Sequence, residues 1–351
     1  MDDAKGYQAI RQSVAVYRRG ARLVEVTGAQ RGQLLTHALA KSTEYAQPGT
    51  SLETLALDDD GRPIDLVLVI FEEDRAILVS DVASGVIDQL PALAQSLELT
   101  DLAQSELDDW CAIAVEGPSS WRIVEDLVDD DLASMTLNER RPARSPLGDA
   151  GILVRTGQTA EYGYLWLGRA EAGPTEAAFL NRALAEGGAE ATPDALLRAK
   201  LEINHPVFPQ AMEGLSLRQA GVEWLAGSSR EDDYRGRPAE LGEPRSRGLV
   251  AVRAPGAELP ATGTTVEAGG QPVGSLFLVA PQVGQPDGFA LALLDAPFDV
   301  PGLDLTAGGV YLRTVSRPAV DPLSWSETVG SSTIRSSAHW QAQEQLLNEQ
   351  R

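Results

Sequence analysis

Residues 64–71, Ile-Asp-Leu-Val-Leu-Val-Ile-Phe, are the most restrictive stretch of the chain. They are β-branched or apolar at odd and even positions alike, the pattern of a strand covered on both faces. A fold that leaves one side of this strand wet is excluded. The preceding Asp58-Asp59-Asp60-Gly61-Arg62-Pro63 is a turn, because Asp-Gly and Arg-Pro supply turn backbone. Alternation sends Ile64, Leu66, Leu68 and Ile70 one way. It sends Asp65, Val67, Val69 and Phe71 the other, so Asp65 is a lone carboxylate on an apolar face. A buried carboxylate is costly unless it is hydrogen-bonded, paired or put to use. Two readings stay open here: a functional acid, or a residue still at the exposed start of the strand.

At 351 residues the chain is too long for one core, and two or three domains are expected. Its composition, 43% hydrophobic and 23% charged, is that of a soluble globular protein. No apolar run reaches the length of a membrane-spanning helix. The first residues, Met1-Asp2-Asp3-Ala4-Lys5, do not read as a signal peptide. The single cysteine, Cys111, excludes an internal disulfide framework. These features fit a cytoplasmic protein. The net charge of −22 argues against partners made of nucleic acid or anionic membrane. It leaves a small-molecule ligand open. The acidic run at Glu125-Asp126 and Asp129-Asp130-Asp131 reads as solvated surface, and no metal site is expected.

In chain order, residues 5–20 read as a helix, with Ile10, Val14 and Tyr17 at helical spacing. Residues 22–28 alternate and end on Gly28, as a strand does. A helix over 29–39 and strands over 52–57, 64–71 and 76–79 complete a first α+β unit. A second unit follows. After a helix over 86–99, it covers roughly 110–200, with a strand from Cys111 stopping at Gly117-Pro118 and a helix from Ser119 to Val128. A hairpin over 152–167 and helices over 175–186 and 193–201 complete it. Both units place a helix after a strand that ends in glycine, which hints at duplication. From Gly248 short apolar runs alternate with Gly/Pro turns and no helical period survives, so an all-β barrel or sandwich is expected. Residues 227–243 link it to the rest. The polar stretch after Pro318 is expected to be peripheral, with a final helix over 339–350.

The chain carries no GxSxG, no GxGxxG before a helix, no Walker A sequence and no cysteine pairs. His37, His205 and His339 are scattered, and His37 reads as a core residue. A hydrolase, kinase or dehydrogenase of the usual kind is not indicated.

Taken together the motifs resemble the glycine-cleavage T-protein (aminomethyltransferase) family and its folate-binding relatives. Gly61-Arg62-Pro63-Ile64-Asp65-Leu66-Val67 resembles the family's Gly-Gly-x-x-Asp-Asp-Leu strand. Ile113-Ala114-Val115-Glu116-Gly117-Pro118 is similar to Ile-Ala-x-Gln-Gly-Pro. Thr156-Gly157-Gln158-Thr159-Ala160-Glu161-Tyr162-Gly163-Tyr164-Leu165 resembles Thr-Gly-Tyr-Thr-Gly-Glu-x-Gly-Tyr-Glu. Lys200-Leu201-Glu202 with Val207-Phe208-Pro209-Gln210 resembles Arg-Leu-Glu with Leu-Tyr-Gly-Gln. Trp224 falls where the family has Gly-Trp, and Asp233-Tyr234-Arg235-Gly236-Arg237 matches Asp-Phe-Ile-Gly-Arg.

The resemblance implies an α+β fold of three domains in a cloverleaf, ending in an all-β barrel. The expected boundaries are 1–108 (sharing part of 205–245), 109–204 and 246–318, with a peripheral tail at 319–351. It implies tetrahydrofolate in a central hole, with Asp65 as the catalytic carboxylate acting electrostatically. The carried-over cofactor-binding positions are Asp81, Gln158, Glu161, Tyr164, Leu165, Lys200, Phe208 and Trp224. Several depart from the family pattern. The second Asp is Leu66, the pterin-edge Glu is Leu165, and the Arg of Arg-Leu-Glu is Lys200. Leucine cannot supply the paired hydrogen bonds of a carboxylate. Asp81 or Glu161 is expected to replace the lost pterin partner. The implied function is a divergent tetrahydrofolate-dependent one-carbon transferase or demethylase, not the glycine-cleavage enzyme itself. Two alternatives are kept: a pocket retuned to a non-folate small molecule of a specialised biosynthetic pathway, and a non-catalytic folate-binding or assembly protein.

Overall fold

The strand Pro63–Phe71 is buried on both faces, as its pattern requires. It lies in an antiparallel five-stranded sheet, flanked by Ser51–Leu57 and Arg75–Ser80, then Arg22–Thr27 and Ala103–Glu106. The face bearing Val67 and Val69 is covered by the helices Arg31–Ala38 and Val86–Ser96, through Leu34, Leu35, Val86 and Leu90. The other face, with Leu68 and Ile70, packs against a second sheet through Tyr17, Ala112, Ala114 and Leu165. This computed structural model describes residues 2–20, 22–227, 230, 232–237 and 246–325.

The second sheet has six strands in the order Ala189–Glu190, Ala15–Arg18, Trp110–Glu116, Gly163–Arg169, Ala150–Val154 and Arg140–Arg144. Its outer face packs on the helices Ser120–Val124 and Ala172–Ala185 through Ile123, Val124, Phe179 and Ala183. The strand Ala15–Arg18 corrects two expectations. The helix predicted over 5–20 stops at Gln12, and the residues after it join the second sheet rather than the 1–108 unit. Val14 and Val16 face one core while Ala15 and Tyr17 face another. Such two-sided apolar burial suits a central strand and not a helix with one wet face. The two strand-to-helix glycines have a steric cause. A Cβ on Gly117 would lie 2.5 Å from the Ser13 carbonyl oxygen, and one on Gly28 2.4 Å from that of Asp101.

Residues 247–315 form a closed six-stranded barrel, as the alternating runs predict. Along its first strand Val250 and Val252 fill the barrel, while Leu249 and Ala251 point outward. That outer face shares a core with Leu55, Leu57 and Leu66 of the first sheet and with the segment from Leu201 to Tyr234. Described residues of the predicted linker are tied down. Arg230 donates to the carbonyls of Thr36 and Leu39, and Arg235 pairs with Asp59.

The expected peripheral tail is also corrected in its described part. The Ala319 amide donates to the Glu202 carbonyl at 2.7 Å. The Ser324 amide and hydroxyl both donate to Glu161, at 3.0 and 2.6 Å. The predicted helix over 339–350 and the Ser-rich residues 326–337 lie outside the described residues. No helix among the described residues is long and apolar enough to cross a membrane.

Two helices, Asp3–Gln12 and Pro193–Ile203, lie against the core between the sheets. They are joined through Glu202, which accepts from Tyr7 (2.7 Å), Arg11 (3.1 Å) and Arg198 (2.6 Å). Breaking a buried ion pair on one side strands the remaining charge and costs about 3–5 kcal/mol. Glu202→Ala is therefore expected to lower unfolding stability by several kcal/mol in a urea titration. A loss under about 1 kcal/mol would show that this junction does not hold the helices.

Candidate functional site

Where the two sheets and the end of helix Pro193–Ile203 meet, a cleft of about 260 Å³ opens. Leu52 and Glu53 line it from the first sheet, and Thr156, Gly157 and Ala160 from the second. Asn204 and His205 come from the helix terminus, where Asn204 adopts a left-handed conformation that ends the helix. Lys41, Leu137 and Trp224 complete the rim. The Trp224 side chain is 53% exposed, and the Lys41 ammonium lies 5.8 Å from its ring centroid. Burial pulls the Lys41 pKa below its ordinary value, against the attraction of Glu53.

Beside the cleft lies a charge cluster spanning both sheets. Arg19, directly after the strand Ala15–Arg18, reaches Glu53 at 2.5 Å and Asp81 at 3.5 Å. Burial opposes its charge, but Asp81 and Glu53 outweigh that and raise its pKa. Burial would likewise raise Glu53, yet Arg19 and His205 pull it down to about 2. Asp81 accepts from the Gln158 side-chain amide at 2.7 Å. Glu116 accepts from the Gln158 backbone amide, the Thr159 hydroxyl and, at 2.5 Å, the Tyr17 hydroxyl. Burial pushes Tyr17 well above its ordinary pKa, with Glu116 adding to the effect, so the phenol stays protonated and donates. Lys200 feels Asp81, Arg19, Glu116 and Glu53 at longer range, and its burial lowers its pKa.

The structure therefore brings together Asp81, Gln158 and Lys200 of the predicted site, with Trp224 on the cleft wall. The other predicted residues go elsewhere. Glu161 is turned into the interior, where Ser324 and the Leu323 amide bond its carboxylate and Arg11 lies at 3.8 Å. It is not free to replace a pterin partner. Tyr164 faces the outer core of the second sheet, and Leu165 the core between the sheets. Phe208 packs on the core shared with the barrel.

Asp65 is fully buried on the helix-covered side of its strand, not on the side that meets the cleft. It accepts from the Ser80 hydroxyl at 2.8 Å and from the Val86 amide at 3.2 Å. Val86 opens the helix Val86–Ser96, whose own N-cap, Gly85, has no side chain to offer. Asp65 thus serves as a capping group delivered from a neighbouring strand. A side chain on Gly85 would collide with it, since its Cβ would stand 2.4 Å from the nearer carboxylate oxygen. On the opposite face Leu66 occupies the position turned toward Leu55, Leu57 and Leu201.

Glu53, Arg19 and His205 are the site residues that motif matching passes over, and Glu116 falls in a matched motif without being given a role there. For Glu53 a signal exists: it is a lone carboxylate between Ser51 and Leu55 on one face of a strand, the same criterion that singles out Asp65. Its register partner is Leu68, which faces the second sheet.

No family model matches the chain. An aminomethyltransferase of Streptomyces avermitilis is 30% identical over 313 residues, 84% of this chain and 81% of that protein. One from Streptomyces coelicolor is 28% identical over 312 residues with the same coverage. The crystal structure of glycine cleavage system aminomethyltransferase T from Bartonella henselae is similar with a TM-score of 0.77. It is 17% identical and covers 91% of this chain and 90% of that one, a likeness of fold.

Burial raises the Asp65 pKa to about 7, against the lowering by Ser80 and the Val86 amide. The folded state then keeps a proton that the unfolded chain releases near pH 4. The contribution to stability is full below about pH 4 and is lost as pH rises toward about 7. Asp65→Asn is expected to flatten the fall in stability between these values, by roughly 1–3 kcal/mol, in denaturant titrations run at several pH values. Parallel curves for the two proteins would contradict this assignment.

Proposed function

The chain belongs to the aminomethyltransferase family, and on that footing we propose that it transfers a one-carbon unit to or from a small molecule held in the Glu53–Trp224 cleft. The observation that carries the reading is the set of groups around that cleft. It combines a carboxylate (Glu53), a half-exposed indole (Trp224) and an ammonium (Lys41) with apolar walls from Leu52, Leu137 and Leu225. This set fits tetrahydrofolate in its chemistry. Glu53 can accept from an aminopyrimidine edge. Trp224 offers a flat face to an aromatic ring. Lys41 complements an anionic tail. Of these contacts Trp224 is among the positions carried over by motif and Glu53 and Lys41 are not, while Leu165, Tyr164 and Phe208 lie in the cores.

Tetrahydrofolate, if bound, would serve as the carrier that takes up the one-carbon unit or, once loaded, gives it up. The chain's own residues orient the ligand and fix the charge around it. Glu53, Asp81 and Glu116 stand against Arg19 and Lys200, which leaves a floor that favours positive charge developing on a ligand nitrogen. Preorganised carboxylates need no rearrangement when that charge appears. The role that the resemblance gives to Asp65 falls in this reading to Glu53.

A second reading is favoured by Leu66 and Leu165. Both are fully buried, so no carboxylate reaches the cleft from either position. A different small molecule with an apolar ring would suit the remaining walls.

Equilibrium dialysis against tetrahydrofolate separates the two. Binding is expected for the wild type, and Trp224→Ala is expected to weaken it about tenfold, the equivalent of about 1.4 kcal/mol. Asp65→Asn should leave affinity unchanged. Absence of binding at high micromolar ligand would remove the folate reading and leave the second.

A further inference from the structure

One group at the cleft has a function that neither the family pattern nor the motifs supply. His205 lines the cleft, yet its side chain is only 5% exposed. Its Nδ1 lies 3.0 Å from the carbonyl oxygen of Pro206. A carbonyl only accepts, so Nδ1 carries the proton and Nε2 is the variable position. Nε2 is buried and has no hydrogen-bond partner, although Glu53 Oε2 lies 3.4 Å away. The charged groups around this pair come from several elements: Glu53 on its strand, Arg19 and Asp81 beyond it, Lys200 on the helix, and Lys41 on the rim.

We infer that His205 and Glu53 form the proton-exchange pair of the cleft, with His205 Nε2 as the atom that takes and returns the proton. The inference rests on the cleft being the ligand site. In the forward step an N–H or O–H bond of the occupant breaks and its electron pair stays on the occupant. The proton moves to Nε2, and the imidazolium is balanced by the Glu53 carboxylate. In the reverse step Nε2 returns the proton and the ring is neutral again. Pro206 holds the ring in one tautomer throughout, so no ring flip is needed. His205 then carries the proton, and Glu53, which faces the ligand as well, balances the charge of the ring.

The chain has three histidines, so ¹⁵N-histidine NMR of the full protein can resolve His205, with His205→Gln assigning its signals. Nδ1 is expected to stay protonated whether or not the cleft is filled, and Nε2 is the nitrogen whose protonation changes. At fixed pH, Glu53→Gln is expected to lower the fraction of Nε2 that is protonated, because the imidazolium loses its counter-charge. Saturating tetrahydrofolate should shift the His205 Nε2 signal and leave those of His37 and His339 in place. An unprotonated Nδ1, an Nε2 that never changes state, or a protonated fraction unmoved in Glu53→Gln would overturn the pair. If Glu53→Gln does not fold, the wild-type Nε2 signal with and without tetrahydrofolate decides, and a bound ligand that leaves it unmoved overturns the inference. If dialysis shows no tetrahydrofolate binding while Nε2 and Glu53→Gln behave as described, the folate reading fails and the pair stands.

Discussion

A guanidinium held between two sheets organises the centre of this protein. Arg19 leaves a strand of the second sheet and grips Glu53 and Asp81 of the first. Burying an arginine is costly unless its charge is met, and burying two carboxylates near one another is costly for the same reason. Each group is tolerable only in the presence of the others. The sheets must therefore meet in one relative position, at which the three charges are in reach. The apolar core between the sheets supplies the driving force, while the ion cluster selects the alignment.

The cleft follows from that alignment. Glu53, which lines it, is already committed to the cluster through Arg19, so its position is fixed before any ligand arrives. The rim is different, because Trp224 is half exposed, with the Lys41 ammonium over its ring. A rigid polar floor under an adaptable rim suits chemistry on one end of a ligand and tolerance at the other. Asp81, Gln158, Lys200 and Trp224 stay at or beside the cleft, but other residues that motif matching would place in a pocket have become core, cap or clamp. Leu165 lies between the sheets, Asp65 caps a helix, and Glu161 holds a crossing segment.

Much of this is legible in the sequence where the signal is local. The barrel can be read because alternation and Gly/Pro turns recur within a few residues. The doubly covered strand can be read for the same reason. The strand Ala15–Arg18 cannot, since Ile10, Val14 and Tyr17 mimic helical spacing and its partners lie about a hundred residues or more away at Trp110–Glu116 and Ala189–Glu190. Asp65 and Glu53 show the limit most plainly. Both are lone carboxylates on apolar strands, and period two tells which residues share a face. It does not tell which face meets the second sheet. That is fixed by the pairing of Glu53 with Leu68 and by the helices over Val67 and Val69. Glu161 is illegible for another reason: the segment that bonds its carboxylate comes from the far side of the barrel in sequence.

The bond between Glu161 and Ser324 also sets an order of events during synthesis. The loop over Thr156–Tyr162 forms one wall of the cleft, and the Tyr162 amide as well as the Glu161 carboxylate is satisfied by Ser324. Both sheets and the barrel leave the ribosome before that serine does. A nascent chain thus assembles its cores with this wall still carrying a buried carboxylate that lacks its hydrogen-bond donors. The wall of the cleft is tied to a segment that follows the barrel in sequence.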